Sequence, residues 1–200
     1  EHNGRINNTD LLNVIRTLYP FLKAELFLKW KDSEINAQVT EYIDALAQAN
    51  LIFVADEDFI FCPTPNSEDH NQLAVLAAPV RQSLERYYMT MALISQRGSG
   101  NISIRQVEEL SHLVGQRLSV LYEFNSPELF DKALFQSFVK VLTEQGYIKT
   151  NEDHAIVYGE QFSNVAQYAN LVLDDVTLQM LQHITSFTDD ELKAALDALA

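Results

Sequence analysis

The chain has 200 residues, of which 28 are acidic and 14 basic, so its formal net charge is −14 and its pI about 4.6. Hydrophobic residues make up 47% and charged residues 21%, which is typical of a globular protein and excludes a disordered acidic tail. A surface with this charge repels nucleic acid phosphates. The single cysteine, Cys62, excludes an internal disulfide and a paired-cysteine metal site, and because it follows an apolar run we expect it to be buried.

The first thirty residues predict two helices separated by a proline. Asn8 or Thr9 can cap the first helix, because their side-chain oxygens accept hydrogen bonds from its free N–H groups. Apolar residues recur at helical spacing up to Pro20, which we expect to end or kink this helix. Proline is also favoured at the first position of a helix, so a second helix through Trp30 is predicted.

The next stretch predicts a helix followed by a β-hairpin. The helix begins near Ser33, has apolar residues at spacings of three and four, and ends at Asn50, which tolerates a left-handed backbone. Two β-rich runs, 51–54 and 59–62, follow it around an acidic turn. The polar stretch 66–71 is a candidate linker to a long helical pattern.

The second half predicts the same order of elements. Ser103 and Gln106 form a capping-box pattern that opens one helix, and Ser126, followed by proline and glutamate, marks the start of another. That helix stops at Gly146, and two β-rich runs follow around a polar turn. The runs are 147–150 and 155–158. The rest of the chain is helical in pattern, with a second capping box at 188–191.

The chain repeats itself at a spacing of 96 residues. With that shift the two helix–hairpin patterns align without a gap, and Asn50 falls on Gly146. We therefore predict a mainly α fold with two short β-hairpins (α+β), made of tandem winged-helix-like units plus C-terminal helices. The predicted divisions are a first helix–hairpin unit at 1–65, a connecting long helix and loop at 66–101, a second helix–hairpin unit at 102–160 and C-terminal helices at 161–200.

The charge of the predicted recognition helices argues against DNA binding by these units. A winged helix that reads DNA places Arg or Lys on the helix before its hairpin. The first such helix carries Glu34, Glu41 and Asp44 and no basic residue, and the second mixes Lys132 and Lys140 with acidic residues. Nucleic acid is therefore not an expected partner, and a protein–protein role for the same shape is favoured.

No catalytic, cofactor-binding or metal-binding constellation is predicted, so neither a cofactor nor a metal is expected. The five histidines are scattered, no two of them stand four residues apart, and no zinc-protease, nucleophile-elbow or phosphate-loop motif occurs. We interpret His112, on a predicted helix, and His154, in a predicted hairpin turn, as structural or surface residues. Acidic pairs at 108–109 and 189–190 are explained by a solvated helix face and a helix first turn.

One segment opposes the overall charge. Four basic and several aromatic residues fall between Leu11 and Lys31, where the one acid is Glu25. The candidate surface residues are Arg16, Lys23, Lys29, Trp30 and Lys31. A basic, aromatic amphipathic helix can bind an anionic membrane surface or dock on another domain. The alternative is a core helix whose lysines reach solvent from its edges.

Two blocks of sequence carry a resemblance to a known family. One comprises Gly4-Arg5, Asp10-Leu-Leu and the run from Leu18 to Trp30. The other extends from Gln116-Arg-Leu-Ser-Val-Leu-Tyr through Glu144-Gln-Gly-Tyr-Ile148. In this order they resemble the C-terminal part of bacterial sn-glycerol-3-phosphate acyltransferase, over roughly residues 4–31 and 115–150.

The resemblance implies a larger parent enzyme. The family transfers a fatty acyl group from acyl carrier protein or coenzyme A to the sn-1 hydroxyl of glycerol 3-phosphate in phospholipid synthesis, at the cytoplasmic face of the bacterial inner membrane. Its catalytic H-x4-D motif and its F-P-E-G motif are both missing from this sequence. We therefore expect this chain to be the region after the catalytic domain, about the last quarter of the enzyme. We expect it to be inactive by itself.

Two functional hypotheses follow. In the first, this region packs on the catalytic domain of the same polypeptide and keeps it at the membrane as a peripheral protein, with self-association left open. In the second, the chain is a free-standing tandem winged-helix module for protein interaction or regulation. The upstream coding region distinguishes them, because the catalytic motifs stand there only under the first hypothesis.

Overall fold

The computed structural model describes residues 4–55, 58–122, 131–173, 175–188 and 191. They belong to two compact units, Glu1–Ser83 and Leu84–Ala200. The elements in chain order are β1 (Arg5–Asn7), α1 (Asn8–Leu26), a 3-10 turn (Asp32–Glu34), α2 (Ile35–Gln48), β2 (Phe53–Val54), β3 (Phe59–Phe61), α3 (Glu68–Arg97), α4 (Ile104–Tyr122), α5 (Lys132–Glu144), β4 (Ile148–Thr150), β5 (Ile156–Tyr158), α6 (Glu160–Val172) and α7 (Asp175–Thr185). The predicted mainly α fold with two short hairpins is confirmed.

The first unit contains a three-stranded antiparallel sheet with the order β1-β3-β2. Ile60 of the central strand lies opposite Ile6 on one side and Val54 on the other, and it is buried. The predicted hairpin is therefore present, and β1 adds a third strand that the sequence analysis did not predict. Cys62 follows the end of β3 and is exposed, so the prediction that it is buried is wrong.

α1 is a single helix, whereas the sequence predicted two. Its cap is Asn7, one residue before the predicted Asn8, because the Asn7 side chain accepts a hydrogen bond from the Thr9 N–H at 2.8 Å. Pro20 lies inside the helix, so the prediction that a helix ends there is wrong. The buried residues on either side of it include Leu18, Tyr19 and Phe21. Their packing outweighs the one backbone hydrogen bond that proline cannot make.

α2 ends where the sequence predicted. Asn50 has a φ of 59°, and the N–H of Leu51 donates to the Leu46 carbonyl at 2.9 Å. This left-handed closure satisfies a carbonyl that the helix end would otherwise leave unpaired, and it directs the chain into β2.

α3 crosses the division between the two units, which falls between Ser83 and Leu84. The helix begins at Glu68, inside the polar stretch 66–71 that was a candidate linker, and Pro79 lies within it. Residues 68–79 are almost all exposed, whereas residues 85–91 are all buried. The first half of α3 is therefore an exposed part of the first unit, and its second half is part of the core of the second unit.

The second unit opens with the predicted capping box. The Ser103 N–H donates to Gln106 Oε1 at 2.9 Å, and the Gln106 N–H donates to Ser103 Oγ at 3.3 Å. α5 begins at Lys132 with Asp131 as its cap. The start predicted at 126–128 lies outside the described residues.

The core of the second unit forms between α3, α4, α5 and β4–β5. The Tyr87 ring of α3 stacks on the Phe138 ring of α5, with centroids 4.3 Å apart and planes 8° apart. Gly146 has a φ of 77° and ends α5, as predicted, before the confirmed second hairpin. The second capping box is also present, because Thr188 and Glu191 exchange hydrogen bonds in both directions.

The two units share their local structure at a spacing of 96 residues. α1 and α4 have nineteen residues each, and their first residues, Asn8 and Ile104, are 96 apart. The turns of the two hairpins place Asp58 and His154 at the same φ of 59°. Backbone hydrogen bonds recur as well: those from Ala55 N–H to Phe59 O and from Asn151 N–H to Ala155 O are both 2.9 Å long.

The repeat also includes the strand before the first helix. Asn7 of β1 pairs with Phe59, and 96 residues later Ser103 forms an isolated bridge with Ala155. The repeated unit is therefore strand, helix, helix and hairpin, longer than the helix–hairpin echo in the sequence. The winged-helix description of these units, and the four-part division of the chain, stay predictions.

Candidate functional site

The predicted surface segment forms the end of α1 and the loop that follows. α1 ends at Leu26, and Phe27 reverses the chain with a left-handed backbone of φ 53° and ψ 40°. The Leu28 N–H donates to the Lys23 carbonyl at 3.3 Å, which closes the helix end. The helix predicted to reach Trp30 therefore stops short of it, and the loop supplies the rest of the segment.

Trp30 belongs to the edge of the first unit's core. Its half-buried side chain packs against a buried cluster of Tyr19, Ile35 and Val39. The Tyr19 hydroxyl donates to the Trp30 carbonyl at 2.7 Å, and Tyr42 meets the Trp30 ring edge-on at 5.9 Å. The structure therefore uses this tryptophan to hold the loop against the helices.

Two of the candidate basic residues have polar partners within the unit. Lys23 Nζ lies 3.4 Å from Asp32 Oδ1 and over the Tyr19 ring. Arg16 Nε donates to Asn36 Oδ1 at 3.0 Å. The exposed Lys23–Asp32 ion pair contributes little stability, about 0–1 kcal/mol, but the Asp32 carboxylate lowers the positive potential that Lys23 presents. Asn36 is neutral, so Arg16 keeps its positive charge.

The loop places the other two basic residues beside an exposed aromatic side chain. Lys29 and Lys31 are exposed, and Lys29 Nζ lies 5.5 Å from the centre of the Trp30 ring. Phe27 is 90% exposed, and Leu26 before it is also exposed. A phenylalanine with a left-handed backbone and a solvated ring is unusual in both respects. Helical periodicity could not have indicated it, because Phe27 is the residue at which the helix stops.

A second exposed apolar surface lies on the first half of α3. Residues 73–80 read Leu-Ala-Val-Leu-Ala-Ala-Pro-Val, eight apolar residues in a row, and Val75 and Leu76 are 71% and 59% exposed. Val75 and Leu76 also line a shallow groove with Leu51. The run covers more than two helical turns and so every face of the helix. Helical periodicity did not predict this surface, although the unbroken apolar run was the available signal.

The second unit has a groove of about 410 Å³ between residues of α3, α6 and α7. Its described lining includes Tyr88, Met91, Gln96, Ser163 and Gln182. None of the described lining residues is a His, Cys, Asp, Glu, Lys or Arg, so this lining offers no general base, nucleophilic thiol or fixed charge.

The titratable groups elsewhere have structural explanations. Burial raises the pKa of the Tyr147 and Tyr158 hydroxyls above 10.0. The pKa of Glu191 is lowered below 4.5, chiefly because its carboxylate accepts a hydrogen bond from the backbone of Thr188. Among the described residues, no three His, Cys, Asp or Glu side chains are grouped as metal ligands. No helix in this part of the chain is long and apolar enough to cross a membrane.

Comparison with known proteins identifies the family. A family model described as "Glycerol-3-phosphate acyltransferase C-terminal region" matches residues 1–151, which include both blocks of the resemblance. No solved structure gives a significant match.

The relatives are much longer than this chain. A glycerol-3-phosphate acyltransferase of Pseudomonas paraeruginosa (strain DSM 24068 / PA7) is 35% identical over 169 residues, which are 84% of this chain and 20% of that protein. The protein of the same name from Ectopseudomonas mendocina (strain ymp) is 31% identical over 193 residues, 96% of this chain and 23% of that protein. The chain thus spans about a fifth of the length of the curated relatives it matches. The chain belongs to the glycerol-3-phosphate acyltransferase family, and it corresponds to a C-terminal region of these proteins.

Proposed function

We propose that this region carries out no chemistry itself and supports a catalytic part located in the rest of the polypeptide. The whole protein would transfer a fatty acyl group from acyl carrier protein or coenzyme A to the sn-1 hydroxyl of glycerol 3-phosphate in phospholipid synthesis. Two facts favour a supporting role. The matched relatives are about four times as long as this chain, and the residue five positions after each of its histidines is never the Asp of an H-x4-D motif.

The exposed apolar run at Leu73–Val80 carries the proposal. A helix that is apolar on all sides is normally enclosed by other structure. Here the run forms exposed turns of α3 in the first unit. Burying apolar surface yields about 25 cal/mol per Å², so a covering partner would stabilise the whole protein. The catalytic part of the same polypeptide is the partner that the family supplies.

The chemistry of the run favours a protein partner over a lipid surface. A helix that lies in a membrane interface keeps one polar face toward water, whereas eight consecutive apolar residues leave no polar face. Eight helical residues are about 12 Å long, too short to cross a hydrocarbon core of about 30 Å. A surrounding protein partner would bury the apolar side chains on every side of the helix.

A pair of matched aspartate variants of the full-length protein tests this role. Val75→Asp places a charge in the apolar run, and Val176→Asp places one on α7, where Val176 is 78% exposed. We expect Val75→Asp to lower acyltransferase activity and the thermal unfolding midpoint, because the charge would be buried against the catalytic part. Val176→Asp should change neither. If Val75→Asp behaves like Val176→Asp, the run is not a docking surface.

A second role, peripheral attachment to the cytoplasmic face of the inner membrane, is favoured by Phe27. Its exposed ring is next to exposed Lys29 and Lys31, with Arg16 earlier on α1. An aromatic ring flanked by lysines fits the headgroup region of an anionic bilayer, where each basic residue contributes about 1 kcal/mol. Trp30 would hold the loop in place from the core side.

Sedimentation with vesicles tests the attachment. The full-length protein is mixed with vesicles containing one third phosphatidylglycerol, and with neutral vesicles as a control. We expect Phe27→Ser combined with Lys29→Glu to weaken binding to anionic vesicles several-fold, and Lys140→Glu, an exposed lysine of α5, to leave it unchanged. Equal binding of both variants would exclude the loop as a membrane contact.

A further inference from the structure

The repeat allows each position of the first unit to be compared with its counterpart in the second, 96 residues later. α5 buries five residues, and the last four of them are Phe138, Val139, Val141 and Leu142. The counterparts of these residues in α2 are Tyr42, Ile43, Ala45 and Leu46. None of the four is buried, and Tyr42 is 49% exposed where Phe138 is 3% exposed. Phe135, the remaining buried residue of α5, has a buried counterpart in Val39, and Ile43 packs against the same core cluster. The side that is covered in α5 and open in α2 is therefore the one with Tyr42 and Ala45, the counterparts of Phe138 and Val141.

The second half of α3 covers the face in the second unit. Residues 84–97 lie directly before the repeated strand–helix–helix–hairpin, and Tyr87 stacks on Phe138. Met91 and Ile94, one and two turns further along α3, are buried as well. In the first unit, the positions that correspond to this covering helix lie upstream of Glu1. The counterpart of Tyr87 is the tenth residue before Glu1.

We propose that the segment directly upstream of Glu1 forms a helix that packs on Tyr42 and its neighbours in α2, as residues 84–97 pack on α5. The curated relatives are about four times as long as this chain, so the family provides polypeptide for this role. Tyr42 keeps an aromatic ring at the position where Phe138 stacks. This inference concerns architecture and goes beyond the supporting role proposed above, because it holds whether or not the region takes part in chemistry.

The charge of α2 favours a helix of the same polypeptide over a lipid surface. Glu41 and Asp44 flank Tyr42, and α2 carries no basic residue. An anionic bilayer would repel this surface. An amphipathic helix requires only that its apolar stripe meets the open face.

The proposal specifies a sequence pattern. The counterparts of Tyr87, Met91 and Ile94 are the tenth, sixth and third residues before Glu1, and all three should be apolar. The spacing of four and three residues places them on one face of a helix. A proline or a charged residue at the sixth position would contradict the proposal before any experiment.

Cysteine cross-linking in the full-length protein tests the contact directly. Cys62 and any upstream cysteines are first replaced by Ser, and one cysteine is placed at the tenth residue before Glu1. Combined with Tyr42→Cys it should be joined by a short bifunctional maleimide, because the matching rings in the second unit stack with centroids 4.3 Å apart. Combined with Asp44→Cys, two residues further around α2, it should not.

Thiol labelling of the single variants distinguishes the other occupants. In the full-length protein, Tyr42→Cys should react at least ten-fold more slowly than Asp44→Cys. Equal rates would show an open face and overturn the proposal. A disulfide between two copies through Tyr42→Cys, or protection that requires phosphatidylglycerol vesicles, would also overturn it in favour of a second copy or a lipid surface. Failure of the Val75→Asp test would leave these results unaffected.

Discussion

The matched positions Phe138 and Tyr42 provide the sharpest stability prediction for the 200-residue chain. Phe138 is buried and stacked on Tyr87, whereas its counterpart Tyr42 is half exposed and contacts the Trp30 ring by its edge. Truncation of each to alanine removes an aromatic ring of similar size. The two substitutions should therefore differ in cost because of burial alone.

The structure sets the expected magnitudes. Removing a buried phenylalanine costs about 3–5 kcal/mol, because it leaves a cavity and deletes the stacked pair. For Tyr42, about half of a side-chain area of roughly 200 Å² is already solvated, so burial contributes at most about 2.5 kcal/mol and water fills the space that the ring leaves. Phe138→Ala should therefore cost about 0.5–2.5 kcal/mol more than Tyr42→Ala.

Urea unfolding followed by two signals measures the difference. Trp30 is the single tryptophan of the chain and lies in the first unit, so its fluorescence reports that unit, while circular dichroism reports the helices of both. With a urea dependence of about 2 kcal/mol per M, Phe138→Ala should lower the midpoint of the second unit's transition by about 2 M. Tyr42→Ala should lower the Trp30 midpoint by at most about 1.2 M.

Two outcomes would refute this reasoning. Equal costs for the two substitutions would show that the α2 face is as buried as the α5 face in the isolated chain. A large effect of Phe138→Ala on the Trp30 transition, together with an unchanged circular dichroism transition, would show that the two units do not fold as assigned.

Four further predictions concern helix ends. Gly146→Ala should lower the stability of the second unit by about 1–2 kcal/mol in urea unfolding, because its φ of 77° disfavours a side chain although no atom lies within 4 Å of the added Cβ. Asn50→Gly, at the same place in the first unit, should be neutral or slightly stabilising. Ser103→Ala, which removes half of a capping box, should lower the free energy of unfolding by about 1 kcal/mol in the same assay. An unchanged free energy of unfolding would show that the capping box does not stabilise the unit. The stabilisation from Glu191 should be complete above its ordinary pKa of 4.5 and should be lost as the pH falls through its lower folded pKa. Thr188→Ala should return the pKa of Glu191 toward 4.5 in an NMR titration. An unchanged pKa would show that the Thr188 hydrogen bonds do not lower it.

Features that depend on local chemistry could be predicted from the sequence. Asn50 and Gly146 end their helices as expected, because a left-handed residue after an apolar helix is a local requirement. Both capping boxes are present for the same reason. Each of these signals lies within four residues of the structure that it determines.

Features that depend on long-range contacts could not be predicted in this way. β1 has three residues, and it exists because Ile6 lies opposite Ile60, far along the chain. Pro20 is tolerated inside α1 because buried neighbours hold the helix on both sides of it. Cys62 is exposed because β3 ends one residue before it.

The candidate site was predicted as a segment but not in its geometry. Helical periodicity identified the aromatic stripe between Leu11 and Lys31, but it could not show that Trp30 faces the core while Phe27 faces solvent. That difference follows from the left-handed turn at Phe27, and this turn depends on how the loop packs after the helix ends. The open face of α2 could not be predicted from local sequence, because Tyr42 and Phe138 are both aromatic and yet differ in burial.

Acyl transfer by the 200-residue chain, assayed beside the full-length protein, tests the central claim most directly. Glycerol 3-phosphate and a long-chain acyl-coenzyme A are the substrates, and helical circular dichroism verifies that the shorter chain is folded. We predict that the full-length protein forms lysophosphatidic acid and that the 200-residue chain does not. Turnover by the folded 200-residue chain above the buffer rate would contradict the claim that this region supports chemistry carried out elsewhere.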